Sequence, residues 1–352
     1  MVTIKEIAEI CGVSATTVSN VLNGKAKTSE ETRQKILKAV EEYGYTPNAI
    51  AQGLRNRRSK VIAVISEDIA QFTSPAIIES IVEICEKWDY RVVVYNLRLY
   101  DRWQDTWYGD EEKYRSIINP IIRDIRSSQI DGVIYVAGHA RVIKTFNRDF
   151  ELPIVMCYAF SDSKDIPSVV IDDESSAYEV VSYLIGKGHK RIGFVGGRAD
   201  NIHTVKRLSG YQRALYDNKI FYDPDLIYYG DWSRESGYAG AKRLFDKNVS
   251  AFFGISDRMT GGIYDFLYEK DMLVGNDISV VGFDNENISS FFRPPLTTTE
   301  LPLRAIGKKS AELILDRIEN PGKRTRQEEP EIFDIPCKMI IRDSVKEIYI
   351  DK

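Results

Sequence analysis

The sequence is poor in cysteine and histidine. Its four cysteines, Cys11, Cys85, Cys157 and Cys337, lie far apart, and the 352 residues include three histidines. No C-x-x-C pair is present, so the spacing excludes the common zinc sites and a disulfide framework. We therefore expect no metal, and we expect the cysteines to be buried thiols of a reducing compartment.

Long apolar runs are also missing. No stretch approaches the roughly eighteen apolar residues of a membrane-spanning helix, and the first ten residues carry acids and lack the apolar segment of a secretory signal. We expect no contact with the membrane and a cytoplasmic location. Gly196-Gly197 lacks the G-x-G-x-x-G spacing of a dinucleotide loop, and no nucleophile–base pair is visible. We expect no cofactor and no enzymatic activity.

The net charge of −4 is small, but it is unevenly distributed. Residues 1–60 contain ten Lys and Arg against six Asp and Glu, whereas the remaining residues contain 38 against 46. A basic head of this kind suits contact with phosphates, and the acidic remainder does not. The length also indicates more than one domain.

The head contains patterns for three helices. Apolar residues at helical spacing predict a first helix that Thr3 caps and that ends at Gly12. A second helix follows from Ser14 to Leu22, and Asn23-Gly24 ends it. Two short helices joined by a glycine turn match a helix-turn-helix unit. The spacing alone also fits a three-helix bundle that binds nothing.

A capping box of Thr28 and Glu31 predicts the third helix. We expect its buried stripe to consist of Ile36, Leu37, Val40 and Tyr43. Residues 48–60 then form a short helical pattern with a basic end, in which Gly53 weakens the helix. From the pattern alone, this segment is a short helix or a solvated basic linker.

From residue 61 onward, apolar β-rich runs alternate with helical stretches, and the same order repeats after about residue 165. Continuous apolar strands between helices predict parallel sheets covered on both faces. The predicted fold class is α/β, with two doubly wound parallel-sheet lobes after an all-α helix-turn-helix head. Ligands of such sheets bind beyond the carboxyl ends of the strands, so we expect one cleft between the lobes.

Several phrases of the sequence resemble the lactose-repressor family of bacterial transcription regulators, over about residues 2–345. They are the run from Thr3 to Ala8, Gly12-Val13-Ser14, Thr46-Pro47-Asn48, Gly188-His189-Lys190-Arg191-Ile192, Arg207-Leu208-Ser209-Gly210-Tyr211 and Pro294-Pro295-Leu296-Thr297-Thr298. The resemblance implies a core similar to periplasmic sugar-binding proteins, with three chain crossings near residues 160, 290 and 322. It thus implies a head of 1–47, a hinge of 48–60, a first lobe of 61–160 plus 291–322, and a second of 161–290 plus 323–345.

The resemblance also assigns residues that bind DNA. Ala15, Thr16 and Asn20 occupy positions that face base edges in the major groove, and Leu54 occupies that of a minor-groove wedge beside Arg55. Phosphate contacts are expected from Ser14, Thr17 and Asn23, and Thr3 and Ser19 are further expected DNA-binding residues. Many family members have Arg or His in place of Asn20, and Asn favours adenine over guanine.

The effector residues follow in the same way. Arg207 corresponds to the arginine that grips the effector, with Asp284 as its acceptor counterpart. Trp232 corresponds to an aromatic that stacks on a sugar ring. The other expected cleft residues are Phe72, Tyr158, Ser256 and Asp257. A structural role for the Arg207–Asp284 pair, or ordinary packing for the aromatics, remains open.

The family implies a repressor that binds palindromic operator DNA as a homodimer and responds to a small molecule, for which a sugar is favoured. The alternatives are a non-sugar corepressor, a sugar-binding protein of the envelope without a regulatory role, an enzyme that uses the cleft, and a structural DNA protein. Residues 100–109 are unusually aromatic. They either lean over the cleft and select a larger saccharide or pack on the surface.

Overall fold

A computed structural model of the chain describes residues 2–22, 24, 28–45, 58–146, 150–321 and 329–348. The chain divides into two compact units, residues 1–60 together with 126–130, and residues 61–125 together with 131–352. We call the helices of residues 2–45 the head, and the second unit the core. In the described part of the chain, every helix is too short or too polar to cross a membrane.

The head consists of α1 (Ile4–Cys11), α2 (Ala15–Leu22) and α3 (Glu30–Glu42). Thr3 and Glu6 form a capping box at the start of α1, and Gly12 ends the helix in the left-handed conformation with φ 66°. The three helices bury a small shared core, which is centred on Ile7, Val18 and Ile36. The predicted helix-turn-helix arrangement is therefore present.

Two details of α3 differ from expectation. Its N-cap is Ser29, whose hydroxyl accepts a hydrogen bond from the Thr32 amide, and not Thr28. Leu37 and Tyr43 are 37% and 46% exposed, while Ala39 is buried in their place. The buried stripe of α3 runs through Ile36 and Ala39, with Val40 packed against it, so the predicted stripe was too wide.

The first lobe of the core is built on a six-stranded parallel sheet in the order β13-β7-β5-β3-β1-β2. Its strands are β1 (Val61–Ser66), β2 (Arg91–Asn96), β3 (Gly132–Val136), β5 (Ile154–Cys157), β7 (Ser168–Ile171) and β13 (Ile332–Ile335). Its helices are α4 (Ser74–Lys87), α5 (Leu99–Trp103), α6 (Glu111–Ser127) and α11 (Leu303–Glu319), and a 3₁₀ turn spans Gln104–Trp107. Two short strands, β4 (Val142–Ile143) and β6 (Phe160–Ser161), pair beside the sheet.

The second lobe is built on a four-stranded parallel sheet in the order β11-β10-β8-β9. Its strands are β8 (Ile192–Gly196), β9 (Ile227–Tyr229), β10 (Ala251–Gly254) and β11 (Ser279–Val281). Its helices are α7 (Asp173–Gly186), α8 (Ile202–Asp217), α9 (Arg234–Phe245) and α10 (Asp257–Glu269), with 3₁₀ turns at Pro224–Leu226 and Asn287–Ser290. These two sheets confirm the predicted pair of doubly wound lobes.

The chain crosses between the lobes at places other than those expected. β7 and β13 pair in the first sheet, so the first crossing falls at Asp172 and the third follows Ile335. The strands β12 (Thr298–Glu300) and β14 (Lys338–Ile340) form an antiparallel pair along the second and third crossings. The predicted boundaries near 160 and 322 therefore assign β7 and β13 to the wrong lobe. Each of these strands has only four residues, and so short a strand leaves little periodic signal in the sequence.

Two helices of the second lobe approach each other closely at glycines. A Cβ on Gly237 of α9 would overlap the main-chain carbonyl of Met259, and a Cβ on Gly262 of α10 would overlap that of Arg234. Because both neighbours are backbone atoms, a side chain at either position forces the helices apart.

We predict that Gly237→Ala lowers the thermal unfolding midpoint by about 2–10 °C, since overpacking costs roughly 1–3 kcal/mol. The control is Gly186→Ala at the end of α7, where a Cβ meets nothing within 4 Å. Thermal unfolding followed by circular dichroism should show no loss for the control, because Ala favours helix over Gly. Equal midpoints for the two variants would contradict the close approach of α9 and α10.

Candidate functional site: an interlobe cleft and a helix-turn-helix surface

A cleft with an empty volume of about 560 Å³ lies between the two lobes of the core. Residues that follow the carboxyl ends of strands contribute most of its walls. The first lobe provides Gln71, Phe72, Thr73, Tyr100, Gly138, His139 and Tyr158. The second lobe provides His203, Arg207, Trp232, Ser256, Arg258, Asp284 and Glu286. All but one of the predicted effector residues lie here, and the exception is Asp257.

The guanidinium of Arg207 is the most buried charge of the cleft, with the residue 1% exposed. Its Nε donates to Asp173 Oδ1 at 2.7 Å, and its Nη1 donates to the main-chain carbonyl of Ile255. The guanidinium carbon lies 3.7 Å from the centroid of the Phe283 ring. Burial alone would lower the pKa of Arg207, but the carboxylates of Asp173 and Asp284 hold it above its ordinary value. Arg207 is therefore charged and fixed in one position.

Asp284 stands beside this arginine but does not hold it. Its Oδ1 is 3.7 Å from Arg207 Nη1, beyond hydrogen-bond distance, and its side chain is 8% exposed. Burial raises the pKa of Asp284 well above the ordinary value, and Arg207 offsets part of that rise. The structural partner of Arg207 is therefore Asp173 and not Asp284. The Asp284 carboxyl is left facing the cleft.

Histidine side chains connect the two lobes at the cleft. His203 Nδ1 and Asp173 Oδ2 are 2.8 Å apart, and the main-chain N–H of Ala140, in the first lobe, donates to His203 Nε2 at 3.0 Å. Because a main-chain N–H can only donate, Nε2 is unprotonated and the ring donates through Nδ1 to Asp173. The Ala140–His203 bond is thus a direct hydrogen bond between the lobes.

His139 is the residue before Ala140 in the chain. Its ring lies across the cleft from Trp232, with the two ring centroids 5.7 Å apart. The pKa of His139 is lowered to about 3, mainly by burial and to a smaller extent by the neighbouring His203, Arg207 and Arg258. Its loop is held in the first lobe by Glu67, which accepts from the Gly138 amide at 2.8 Å and from the Tyr135 hydroxyl at 2.8 Å. The cleft therefore presents a neutral imidazole next to an indole.

The aromatic segment 100–109 packs into the first lobe, and its first residue reaches the cleft. Tyr100 lines the cleft. Trp107 is 3% exposed, stacks on Tyr108 at 4.3 Å and lies 4.6 Å from the guanidinium carbon of Arg141. Tyr108 in turn lies 6.4 Å from His139. The segment is anchored in the first lobe by packing, and it supports one wall of the cleft.

Three residues were not predicted from the sequence: His139 and His203, which line the cleft, and Asp173, which is buried beside it and holds Arg207. His203 lies one helical turn before Arg207, and that spacing could have identified it. Asp173, which is also among the first residues of α7, resembles an ordinary acidic helix start. His139 follows β3, a position at the same sheet edge as the other cleft residues.

Asp257 is buried beneath the cleft instead of lining it, which corrects its predicted role as an effector ligand. Its Oδ2 accepts from the Glu286 amide at 2.8 Å, and its Oδ1 lies 2.6 Å from the Thr298 hydroxyl. It thereby joins α10 to β12, one of the strands along the lobe crossings. Burial raises the pKa of Asp257 to about 7, although these two hydrogen bonds lower it in part.

The DNA-binding prediction falls on α2 of the head and on residues beyond it. Ser14 and Thr16 are exposed, while Thr17, Ser19 and Asn20 are half-buried. Ser14 Oγ accepts from the Thr17 amide at 3.1 Å, and Ala15 packs partly against the core of the head. Thr3 caps α1. Asn23, Leu54, Arg55 and residues 48–57 of the hinge lie outside the described residues.

The raised pKa of Asp257 makes the stability of the folded protein depend on pH. A folded pKa near 7, above the ordinary value of about 3.9, means that folding favours the protonated carboxyl, so its stabilisation is lost as pH rises from about 4 through 7. We expect Asp257→Asn, which stays neutral, to gain a few degrees in thermal midpoint relative to the parent between pH 5 and pH 8. The control is Asp89→Asn, at an exposed turn. Parallel midpoint curves for the parent and Asp257→Asn would contradict the raised pKa.

Two family models match the chain. The one described as bacterial regulatory proteins, lacI family, matches residues 3–48, and the one described as a periplasmic binding protein-like domain matches residues 181–345. Among solved structures, the transcriptional regulator CelR–cellobiose complex is 25% identical with a TM-score of 0.64, covering 98% of this chain and 100% of that one. The Lac repressor dimer bound to operator and the anti-inducer ONPF is 24% identical with a TM-score of 0.76, covering 98% and 99%.

Curated relatives extend over the same length. The HTH-type transcriptional repressor PurR of Vibrio atlanticus (strain LGP32) is 29% identical, covering 98% of this chain and 99% of the relative. Catabolite control protein A of Priestia megaterium is 30% identical, also covering 98% and 99%. With a matching head, a matching core and relatives aligned from end to end, the chain belongs to the lacI family of bacterial regulatory proteins and is a DNA-binding transcriptional repressor.

Proposed function

We propose that this repressor acts in the cytoplasm as a homodimer on a palindromic operator, and that a neutral sugar in the interlobe cleft controls its affinity for DNA. In this proposal Ala15, Thr16 and Asn20 read bases, and Leu54 is the minor-groove wedge. The protein needs no cofactor and catalyses no reaction. The observation that carries the choice of effector is the Asp284 carboxyl, which faces the cleft beside an arginine whose charge is already balanced.

Charge balance favours an uncharged ligand. Arg207 donates to Asp173 and stands 3.7 Å from Asp284, so two carboxyls already face its positive charge. The same wall also carries Glu286 and Arg258, so its charges are mixed, and a hydroxyl can donate to a carboxyl and accept from other groups. A polyhydroxylated ligand therefore suits this wall better than a carboxylate does.

Aromatic rings support a sugar in particular. Trp232 and Tyr158 line the cleft together with Tyr100 and His139, and such rings pack on the apolar C–H face of a pyranose. A relative at 25% identity has been solved as a complex with cellobiose. Both observations favour a saccharide over a non-sugar corepressor.

The proposed mechanism is a shift between two lobe arrangements. The lobes are joined by three chain crossings and by the Ala140–His203 hydrogen bond, so a ligand that contacts both walls changes the relative stability of the arrangements. In a dimer, the angle between the lobes controls the spacing of the two heads on the operator. Binding energy in the cleft is thus converted into a change in operator affinity.

We predict that Asp284→Asn weakens sugar binding at least tenfold and abolishes the effect of sugar on DNA binding, while DNA binding without sugar stays unchanged. The measurement is gel retardation on palindromic DNA selected by the protein, with D-glucose, D-ribose, cellobiose, maltose and lactose. Asp225→Asn, an exposed carboxyl paired with Lys247, is the control. Absence of a response of the parent to any of these sugars would count against the sugar proposal.

Arg207→Ala tests the same site less selectively. We expect loss of the sugar response, but the substitution leaves Asp173 buried without its cation, which costs roughly 3–5 kcal/mol. Loss of DNA binding as well would therefore report unfolding of the second lobe. Asp284→Asn avoids this ambiguity because Asp284 holds no buried cation.

A second prediction concerns the operator. Asn20→Ala should reduce the preference for adenine at one position of each half-site about tenfold, because a bidentate Asn–adenine pair contributes about 1–3 kcal/mol of discrimination. Gln34→Ala, on the exposed face of α3, is the control. Sequencing of DNA selected from a random pool measures both. Selected sites without twofold symmetry would contradict operator recognition by a dimer.

A further inference from the structure

The segment between β3 and β4, residues 137–141, provides the first-lobe side of the interlobe hydrogen bond. The main-chain N–H of Ala140 donates to His203 Nε2 at 3.0 Å. A hydrogen bond weakens steeply when its donor points away from the acceptor. A main-chain donor also has no side-chain torsion with which to reach its partner. The strength of this bond therefore depends on how the residues around Ala140 hold the backbone.

One buried carboxylate, that of Glu67, holds the backbone on both sides of this donor. Its Oε2 accepts from the Gly138 amide at 2.8 Å, and its Oε1 accepts from Arg141 Nη2 at 2.5 Å. Gly138 lies two residues before Ala140, and Arg141 follows it directly. The Tyr135 hydroxyl also donates to Oε1, at 2.8 Å, which keeps the carboxylate in place. The direction of the Ala140 N–H is thus fixed through Glu67.

The aromatic segment 100–109 covers the ion pair of Glu67 and Arg141. The guanidinium carbon of Arg141 lies 4.6 Å from the centroid of the Trp107 ring and 5.1 Å from that of Tyr114, so the cation lies between aromatic faces. Burial alone would lower the pKa of Arg141, but Glu67 holds it above the ordinary value, so the group stays charged. Because these rings keep water away, the attraction between Arg141 and Glu67 is screened less.

We infer that Trp107 and Arg141 are positioning residues, which act through Glu67 to point the Ala140 N–H at His203 and so set the strength of the contact between the lobes. Both lie outside the lining of the cleft, so this role needs no contact with an effector. The inference deepens the proposed function, because its effect on the sugar response rests on control of DNA binding by the arrangement of the lobes.

The test is Trp107→Leu, which removes the aromatic face and keeps an apolar side chain, with Trp107→Phe as the conservative variant. Trp88→Leu, at a position that is 55% exposed, is the matched control. The full chain has three histidines, so nitrogen-15 labelling of histidine gives a simple spectrum, in which His203→Gln assigns one ring. The Nε2 resonance reports whether that nitrogen accepts a hydrogen bond. We expect it to move towards the unbonded value in Trp107→Leu, and to stay in place in Trp107→Phe and Trp88→Leu.

A second variant and a second measurement separate positioning from stability. Arg141→Met should move the His203 resonance as Trp107→Leu does, and Arg141→Lys, which keeps the charge but not the planar fork, should move it less. Arg141→Lys is the variant to compare if either of the others fails to fold. Gel retardation gives the ratio of operator affinities with and without a sugar that acts on the parent. We expect this ratio to change about twofold to tenfold in Trp107→Leu and Arg141→Met, as for the loss of one hydrogen bond.

The outcomes distinguish the inference from the proposed function. A merely structural role would lower the thermal midpoint and leave the His203 resonance in place, and that result in Trp107→Leu and Arg141→Met overturns the inference. A moved resonance with an unchanged ratio of operator affinities also overturns it, because the bond would then not couple the lobes. Absence of a response of the parent to any sugar overturns the proposed function, and the His203 resonance alone then decides whether Trp107 and Arg141 position the donor.

Discussion

The buried ion pair of Asp173 and Arg207 is the interaction on which the cleft depends. Moving two charges out of water is expensive, and the attraction between them compensates only when the remaining donors and acceptors are also satisfied. Here Arg207 also donates to the Ile255 carbonyl and packs on the Phe283 ring, while His203 donates to the other oxygen of Asp173. The pair therefore helps to hold the chain that follows β10 and β11 in place.

The same pair connects the wall of the cleft to the contact between the lobes. Asp173 begins α7 immediately after the first chain crossing, and its partner His203 accepts the hydrogen bond from Ala140 of the other lobe. Two hydrogen bonds, Arg207–Asp173 and Asp173–His203, therefore connect this arginine of the cleft to an interlobe contact. Coupling between the cleft and the contact of the lobes needs no longer pathway, because both depend on Asp173.

Elements with strong hydrophobic periodicity could be predicted from the sequence. Residues whose role depends on a tertiary contact could not. The head helices and the apolar strands are recognisable because burial imposes a period of 3.6 or continuous hydrophobicity. The family resemblance identified Arg207 and Asp284. It could not reveal that Asp173 holds the arginine, since a helix-starting aspartate looks the same whether it caps or pairs. Asp257 was misplaced because adjacent residues at a strand end, Ser256 and Asp257, can face opposite sides.

Three cleft residues adopt a strained backbone conformation that normally favours glycine. Tyr158, Trp232 and Asp284 have positive φ angles of 58°, 72° and 112°, a conformation that L-residues adopt at a cost of roughly 1–3 kcal/mol each. Each follows a strand of a parallel sheet, where the chain must turn sharply before the next element. Glycine would turn at no steric cost but would offer neither a ring nor a carboxyl. These three strained turns therefore place two rings and a carboxyl at one cleft.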